Sequence, residues 1–376
     1  MTLQVINNGS GPGDAGAETV YAAFAKAKAN FAELYGLYGS EVEACTFTTK
    51  QDNLAVADYT RILRWNGAGS TGITGIAAPA SHRVLTIVNA STDYLLWLEN
   101  ENTASSAANR IMLPDSFWAF LMPGDTITLW YDTGSSRWRV LSWPTRGING
   151  GFSSYGQFAD GSAGLFLVAS GTGAASSSAT VPIPPGERVG THYTATGTNT
   201  TGYANLGASG NAQLPILTGQ DIRPALHLSK ISKAQGATGT APDATDNYRI
   251  VSGFYTNSAS TAYGYWWQYY FDGASAVMAH VVADNSVETV SVTGAPSPMT
   301  DTTPLWLGVF LNNGPTRADF LYCTTAEPTS LVLAASRTDV FTRTSSSRVT
   351  PGVSIRKSAG VNNRACLPHR FGFRAQ

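Results

Sequence analysis

Residues 263–272 read YGYWWQYYFD, and the reading of this stretch decides the fold. Aromatic residues favour pleated strands, where rings pack against cross-strand neighbours. Successive side chains of a strand point to opposite faces. One face therefore carries Tyr263, Tyr265, Trp267, Tyr269 and Phe271, and the other Gly264, Trp266, Gln268, Tyr270 and Asp272. The first face is uniformly aromatic and belongs in a core. The second mixes aromatic rings with an amide and a carboxylate. That combination can stack on a sugar ring while bonding its hydroxyls, which makes Trp266, Gln268, Tyr270 and Asp272 candidate glycan-binding residues. The plainer expectation is that this face packs on another sheet or on a neighbouring subunit.

Strands follow on both sides of this segment. YRIVSGFYTN (248–257), AVMAHVVAD (276–284), VETVSVTG (287–294), LWLGVFLNN (305–313), ADFLYCTT (318–325), SLVLAAS (330–336) and RFGFRA (370–375) are rich in β-branched and aromatic residues, with turn residues between them. Short strands at this spacing predict an antiparallel sandwich or jelly roll over 181–376. Upstream, residues 144–180 are crowded with Gly, Ser and Ala. This composition predicts a partly ordered connector in which GLFLVASG can form a strand. Residues 39–143 form a smaller β-module, with strands expected at 83–91, 93–100, 117–132 and 136–143.

The N-terminal 38 residues differ from everything after them. In AETVYAAFAKAKANFAELYGLY (17–38), apolar residues fall at Val20, Phe24, Ala27, Phe31, Leu34 and Tyr38. The alternating steps of four and three make a heptad seam, the pattern of helices that pack on copies of themselves. Asp14 is available as a cap, and Gly36 and Gly39 can end the helix. The competing expectation is an ordinary amphipathic helix folded back on a β-domain. The fold class is thus mainly β, with a short N-terminal α-helix, a small β-module and a C-terminal antiparallel β-sandwich.

Composition narrows the function. Charged residues make up 13% of the 376 residues, about half the usual quarter. Net charge is −1, so no strong field draws nucleic acid or an anionic membrane. Long uncharged β segments imply surfaces covered by other copies of the chain. Cys45, Cys323 and Cys366 are too widely spaced for zinc-ligand or CxxC motifs. No signal peptide or membrane-length apolar run is visible. His82, His192, His227, His280 and His369 are too far apart for HxH or HExxH spacing, and His280 reads as a satisfied core or interface histidine. Phosphate-loop, nucleophile-elbow and dinucleotide motifs are missing, so no cofactor is expected.

The N-terminal segment resembles that of bacteriophage tail-fibre and tail-associated proteins. Asp14, Ala23, Phe24, Lys26, Asn30, Phe31, Glu33, Leu34 and Tyr35 occupy the pattern, with a departure at Lys28 and Ala29. The stretch from Arg83 to Ser142 also resembles a β-module of phage fibres, carried by Arg83, Asn89, Asn109, Arg110, Tyr131, Asp132, Arg137 and Trp138. PLWLGVFLNNGPTRADFLYCTT (304–325) is weakly similar to concanavalin-like lectin sandwiches. These resemblances imply a homotrimeric virion protein, assembled in the host cytoplasm. Residues 1–38 would dock it on other virion proteins, and the C-terminal sandwich would bind a host-surface polysaccharide. They leave open a tailspike depolymerase, for which Asp272, Asp284, Glu288, Asp301 and Asp319 are the available carboxylates, and a purely structural collar or decoration protein.

Overall fold

A computed structural model describes residues 6–7, 14–15, 19–39, 42–143, 167–170, 174–178, 191–195, 202–207, 224–234, 247–256, 263–284, 286–299, 304–312, 316–325, 330–339, 349–359 and 364–375. One helix, α1 (Val20–Gly39), precedes the strands. They are β1 (Val42–Cys45), β2 (Ile62–Trp65), β3 (Thr71–Ile73), β4 (Val84–Asn89), β5 (Leu96–Leu98), β6 (Ile111–Met112), β7 (Ala119–Leu121), β8 (Thr126–Asp132) and β9 (Arg137–Ser142) in the first region. Then come β10 (Leu167–Ser170), β11 (Ala174–Ser178), β12 (Thr191–Ala195), β13 (Gly202–Gly207), β14 (Ala225–Ala234), β15 (Asn247–Tyr255), β16 (Gly264–Phe271) and β17 (Ala276–Asp284). The last are β18 (Val287–Ser291), β19 (Leu305–Leu311), β20 (Ala318–Cys323), β21 (Val332–Arg337), β22 (Thr350–Ala359) and β23 (Arg364–Ala375).

Four sheets result. The first has six strands in the order β1-β2-β4-β8-β9-β6, and the second three, β3-β5-β7. The third and fourth have seven each, β11-β12-β23-β14-β19-β20-β21 and β10-β13-β22-β15-β16-β17-β18. The seven-stranded pair is antiparallel throughout and forms the expected sandwich. β10 and β11 lie inside the Gly/Ser/Ala-rich stretch and pair with β13 and β12, so each seven-stranded sheet draws a strand from it. Residues 144–166 of that stretch lie outside the described residues.

Strand alternation orders the layers. Leu63, Trp65, Leu85, Ile87, Ile127 and Leu129 of the first sheet pack on Leu96, Leu98, Ala119 and Leu121 of the second. The other face of the second sheet, with Trp97 and Phe120, packs with Phe117 and Trp118 against Leu226, Leu228, Trp306, Phe310 and Leu321 of the third. Leu305, Leu307, Val309 and Leu311 then face the fourth sheet and meet Ile250, Phe254, Tyr265, Trp267 and Tyr269. Every residue of β19 is buried for this reason, since neighbouring sheets cover both its faces. The small module and the sandwich therefore share a core rather than hanging from a linker.

Two buried polar latches reinforce that junction. Asp319, fully buried on β20, accepts from Arg317 Nη2 at 2.7 Å and Nε at 2.8 Å, and from Ser336 Oγ at 2.6 Å. The Ser70 hydroxyl of the small module also donates to Asp319. Arg317 in turn donates to the Asp93 carbonyl at 3.1 Å, and its guanidinium lies 3.9 Å from the Tyr94 ring centre. In the second latch, buried Glu99 accepts from Leu331 N at 3.1 Å, from Trp97 Nε1 at 3.0 Å and from Lys50 Nζ at 2.7 Å. Lys50 also donates to the Leu331 carbonyl at 2.7 Å.

The residues that carry the fibre-module resemblance fasten loops. Arg83 donates to the carbonyls of Val56, Ala57 and Thr60. Asn89 donates to Tyr94 O and Leu121 O and accepts from Ser91 N. Trp138 donates to Ile76 O and packs edge-on against Tyr131. Asp132 closes the hairpin turn through Gly134 N and Ser135 Oγ, and Arg137 pairs with Glu101. These groups satisfy backbone polar atoms that folding would otherwise leave unpaired.

The described seam residues of the helix are not covered by the β layers. Val20, Phe24 and Phe31 are 72%, 71% and 58% exposed, and Tyr21 beside the seam 86%. Ala27 is half-buried, while the side chains of Leu34 and Tyr38 lie outside the described residues. Thr19, rather than Asp14, provides the cap: its Oγ1 accepts from Ala22 N at 3.2 Å.

Candidate functional site

The outer face of the fourth sheet carries the residues singled out in the sequence, and it divides into a sealed half and an open half. Trp266 is fully buried, which overturns the expectation of an accessible stacking ring. It packs with Val251, Tyr255, Val281 and Ala283 in a small cluster of its own. Tyr255 meets it edge-on, with ring centres 6.5 Å apart. Gly253 sits opposite Trp266 in register. A Cβ at Gly253 would lie 2.6 Å from Trp266 Cα, so the close approach of the two strands requires glycine there.

Gln268 is 7% exposed and Tyr270 half-buried. Asp272 is exposed but serves the β16–β17 turn, where its Oδ1 accepts from Ser275 N at 2.8 Å and Ala274 N at 3.0 Å. Those backbone donors hold its carboxyl below the usual range. Of the four candidates, then, Trp266 and Gln268 are buried in the floor, Asp272 is a turn residue, and Tyr270 remains on the usable face.

Arg249 and Glu288, which the sequence reading did not single out as binding residues, complete this face. Arg249 is in register with Tyr270, and Tyr270 with Val277. Glu288 is in register with Ala283, six residues farther along β17 (277 to 283). Six strand residues span about 20 Å. Yet Arg249 Nη1 lies 2.8 and 3.0 Å from the two Glu288 carboxylate oxygens. A flat sheet would hold these groups far beyond side-chain reach. The fourth sheet therefore curls toward its outer face and brings the β17–β18 hairpin across β15 and β16. Gln268 Oε1 joins this clasp to the floor through long contacts with Arg249 Nη1 at 3.4 Å and Trp266 Nε1 at 3.5 Å.

Arg356 of β22 stands directly opposite Arg249. The row across the sheet thus reads Arg356, Arg249, Tyr270, Val277, and Asn247 Nδ2 donates to the Tyr270 hydroxyl at 3.1 Å. Val277, Val290 and Val292 are 36%, 51% and 58% exposed. They give the open half an apolar rim beside a cationic pair and an aromatic ring. Arg249 and Glu288 are alternation-visible on their strands, but only the curl of the sheet brings them together.

Other polar clusters are closed. His227 Nε2 and Ser252 Oγ lie 2.9 Å apart, and Ser252 Oγ and Ser229 Oγ 2.6 Å apart, but all three residues are fully buried between the two large sheets. No substrate reaches them. His280 is the satisfied core histidine that its strand predicted. Its Nε2 faces Thr293 O at 3.0 Å, Arg337 Nη1 approaches its Nδ1 at 3.1 Å, and its ring stacks on Phe320. Of the candidate acids, Asp319 is sealed in the latch and Glu288 is held by Arg249. Asp301 lies outside the described residues. Among the described residues no group of three His, Cys, Asp or Glu could hold a metal ion, and no helix is long and apolar enough to cross a membrane.

Fold and site define a layered β-protein built on a two-sheet sandwich. No known protein family matches the chain, and no curated protein matches it. Among solved structures, it is similar to a Shewanella oneidensis MR-1 protein of unknown function, at 10% identity over 56% of this chain and 78% of that one, with a TM-score of 0.40. It is also similar to peanut lectin, at 8% identity over 58% and 94% with a TM-score of 0.34. A Lotus tetragonolobus seed lectin matches at 8% identity over 58% and 95%, with a TM-score of 0.35. Likeness at this level assigns neither family nor activity.

Proposed function

We propose that the chain is the subunit of a homotrimeric attachment protein of a phage-like virion, and that it binds a host-surface glycan through the outer face of its C-terminal sandwich. The observation that carries the reading is the exposed heptad seam. Val20, Phe24 and Phe31 lie 58–72% open on a helix that ends at Gly39, three residues before β1. Burying those side chains between copies removes large apolar area from water, at about 25 cal/mol per Å². Three displayed copies of a weak site then gain avidity through effective concentration. Glycan binding is supported by the open half-face, where the Tyr270 ring and the Arg249 guanidinium offer stacking and hydrogen bonding to one ligand.

Light scattering on the full chain tests the assembly. A trimer is expected, and Phe24→Asp with Phe31→Asp should give a folded monomer. A soluble wild-type monomer at micromolar concentration overturns the assembly. Adsorption of the labelled protein to a panel of bacterial surface polysaccharides tests the binding. Absence of binding across the panel removes the glycan role and leaves a structural subunit.

A further inference from the structure

We infer that the glycan is acidic: the outer face of the fourth sheet takes a uronate-type carboxylate on Arg249, in the position Glu288 occupies in the closed clasp. The inference rests on the glycan-binding reading above and names the chemical class of its ligand.

The geometry is specific. Arg249 and Arg356 are directly opposed across β15 and β22. Like charges in register on one sheet face repel and favour an anion between or above them. Glu288 supplies one such anion from an edge hairpin, and both its oxygens lie within 3.0 Å of Arg249 Nη1. That pair is a quarter exposed on each side, at 25% and 24%, so an external carboxylate has access to the same guanidinium. A solvent-accessible ion pair contributes little to stability, about 0–1 kcal/mol, and exchanging one carboxylate for another is therefore cheap. Charge-assisted bonds from arginine to a carboxylate are stronger than those to neutral hydroxyls.

The neighbours suit a sugar that carries this carboxylate. Tyr270 stands next to Arg249 in register and presents a half-buried ring. Gln268 Oε1 already faces Arg249. The rim of Val277, Val290 and Val292 receives the apolar face of a pyranose. Glu288 is then an internal competitor: it mimics the ligand and holds the site shut in its absence.

The test uses the full-length protein on an array of neutral hexose oligomers, each paired with its C6-oxidised uronate counterpart of the same linkage. Calorimetry follows on the best pair. The uronate member should bind at least about tenfold more tightly, and rising salt should weaken it. Glu288→Gln should raise uronate affinity several-fold by removing the competitor, whereas a merely structural clasp would lose affinity in that variant. Arg249→Gln should abolish the uronate preference. If that variant misfolds, Arg249→Lys keeps the charge and should retain a reduced preference. Equal binding of both members, unaffected by Arg249→Gln, overturns the acidic-ligand inference and leaves the glycan reading standing. Weaker uronate binding by folded Glu288→Gln also overturns it. Binding of neither member of any pair overturns both.

Discussion

Replacing Asp319 by Ala removes the acceptor around which the first latch is built. Asp319 is fully buried and Arg317 only 8% exposed. The substitution leaves the guanidinium facing the Asp93 carbonyl, the Ser70 hydroxyl and the Tyr94 ring without its carboxylate. Stripping one partner from a buried pair costs about 3–5 kcal/mol, because the remaining charge stays desolvated. With a urea m-value of about 3 kcal/mol/M, the midpoint should fall by roughly 1–1.7 M. The control is Arg137→Ala, which breaks the partly exposed pair with Glu101. It should cost about 0–1 kcal/mol. The location of the loss matters as much as its size. Ser70 and Asp93 belong to the small module, while Arg317, Asp319 and Ser336 belong to the sandwich. Hydrogen exchange should therefore accelerate in β3, β5 and β7 together with β19–β21. A cost near that of the Arg137 control, or faster exchange confined to β20 and β21, would refute the shared-core reading.

Burial pushes the His227 imidazole down to about 3, whereas in the unfolded chain it titrates near 6.5. Between those values the unfolded state binds the extra proton, so stability should fall as pH is lowered from about 6.5 toward 3, with a slope of up to about 1.4 kcal/mol per pH unit. Urea titrations across that window should show a slope that His227→Asn flattens, and an unchanged slope in the variant would exclude this histidine as its source. Trp266→Ala should cost about 3–5 kcal/mol, as for a core tryptophan. Tyr270→Ala should leave thermal stability nearly intact while weakening glycan adsorption. The opposite pattern would mean that the ligand enters over the tryptophan.

Much of the sandwich was legible in its sequence. The alternation of YGYWWQYYFD placed Tyr265, Trp267 and Tyr269 correctly in the inter-sheet core, and LWLGVFLNN contained β19. Two central strands were not legible. β14, ALHLSKISKA, sets His227, Ser229 and Lys230 among its apolar residues, and these read as polar until the facing Ser252 and the Trp306 ring beneath Lys230 are known. β22 carries Pro351 and Gly352, residues that argue against a central strand. It nonetheless runs between β13 and β15.

The candidate site shows the same division. Strand alternation determined which side chains share a face, because that period is set by the backbone within a few residues. It placed Trp266, Gln268 and Tyr270 together, and the helical spacing of four and three likewise put Val20, Phe24 and Phe31 on one side of α1. It could not determine what covers a face. Trp266 is sealed because Val251 and Tyr255 of β15 and Val281 and Ala283 of β17 close around it, and the outer face of β19 is sealed because a three-stranded sheet formed some two hundred residues earlier lies on it. Burial of this kind depends on partners distant in sequence and on the twist summed over several strands, which only the tertiary structure decided.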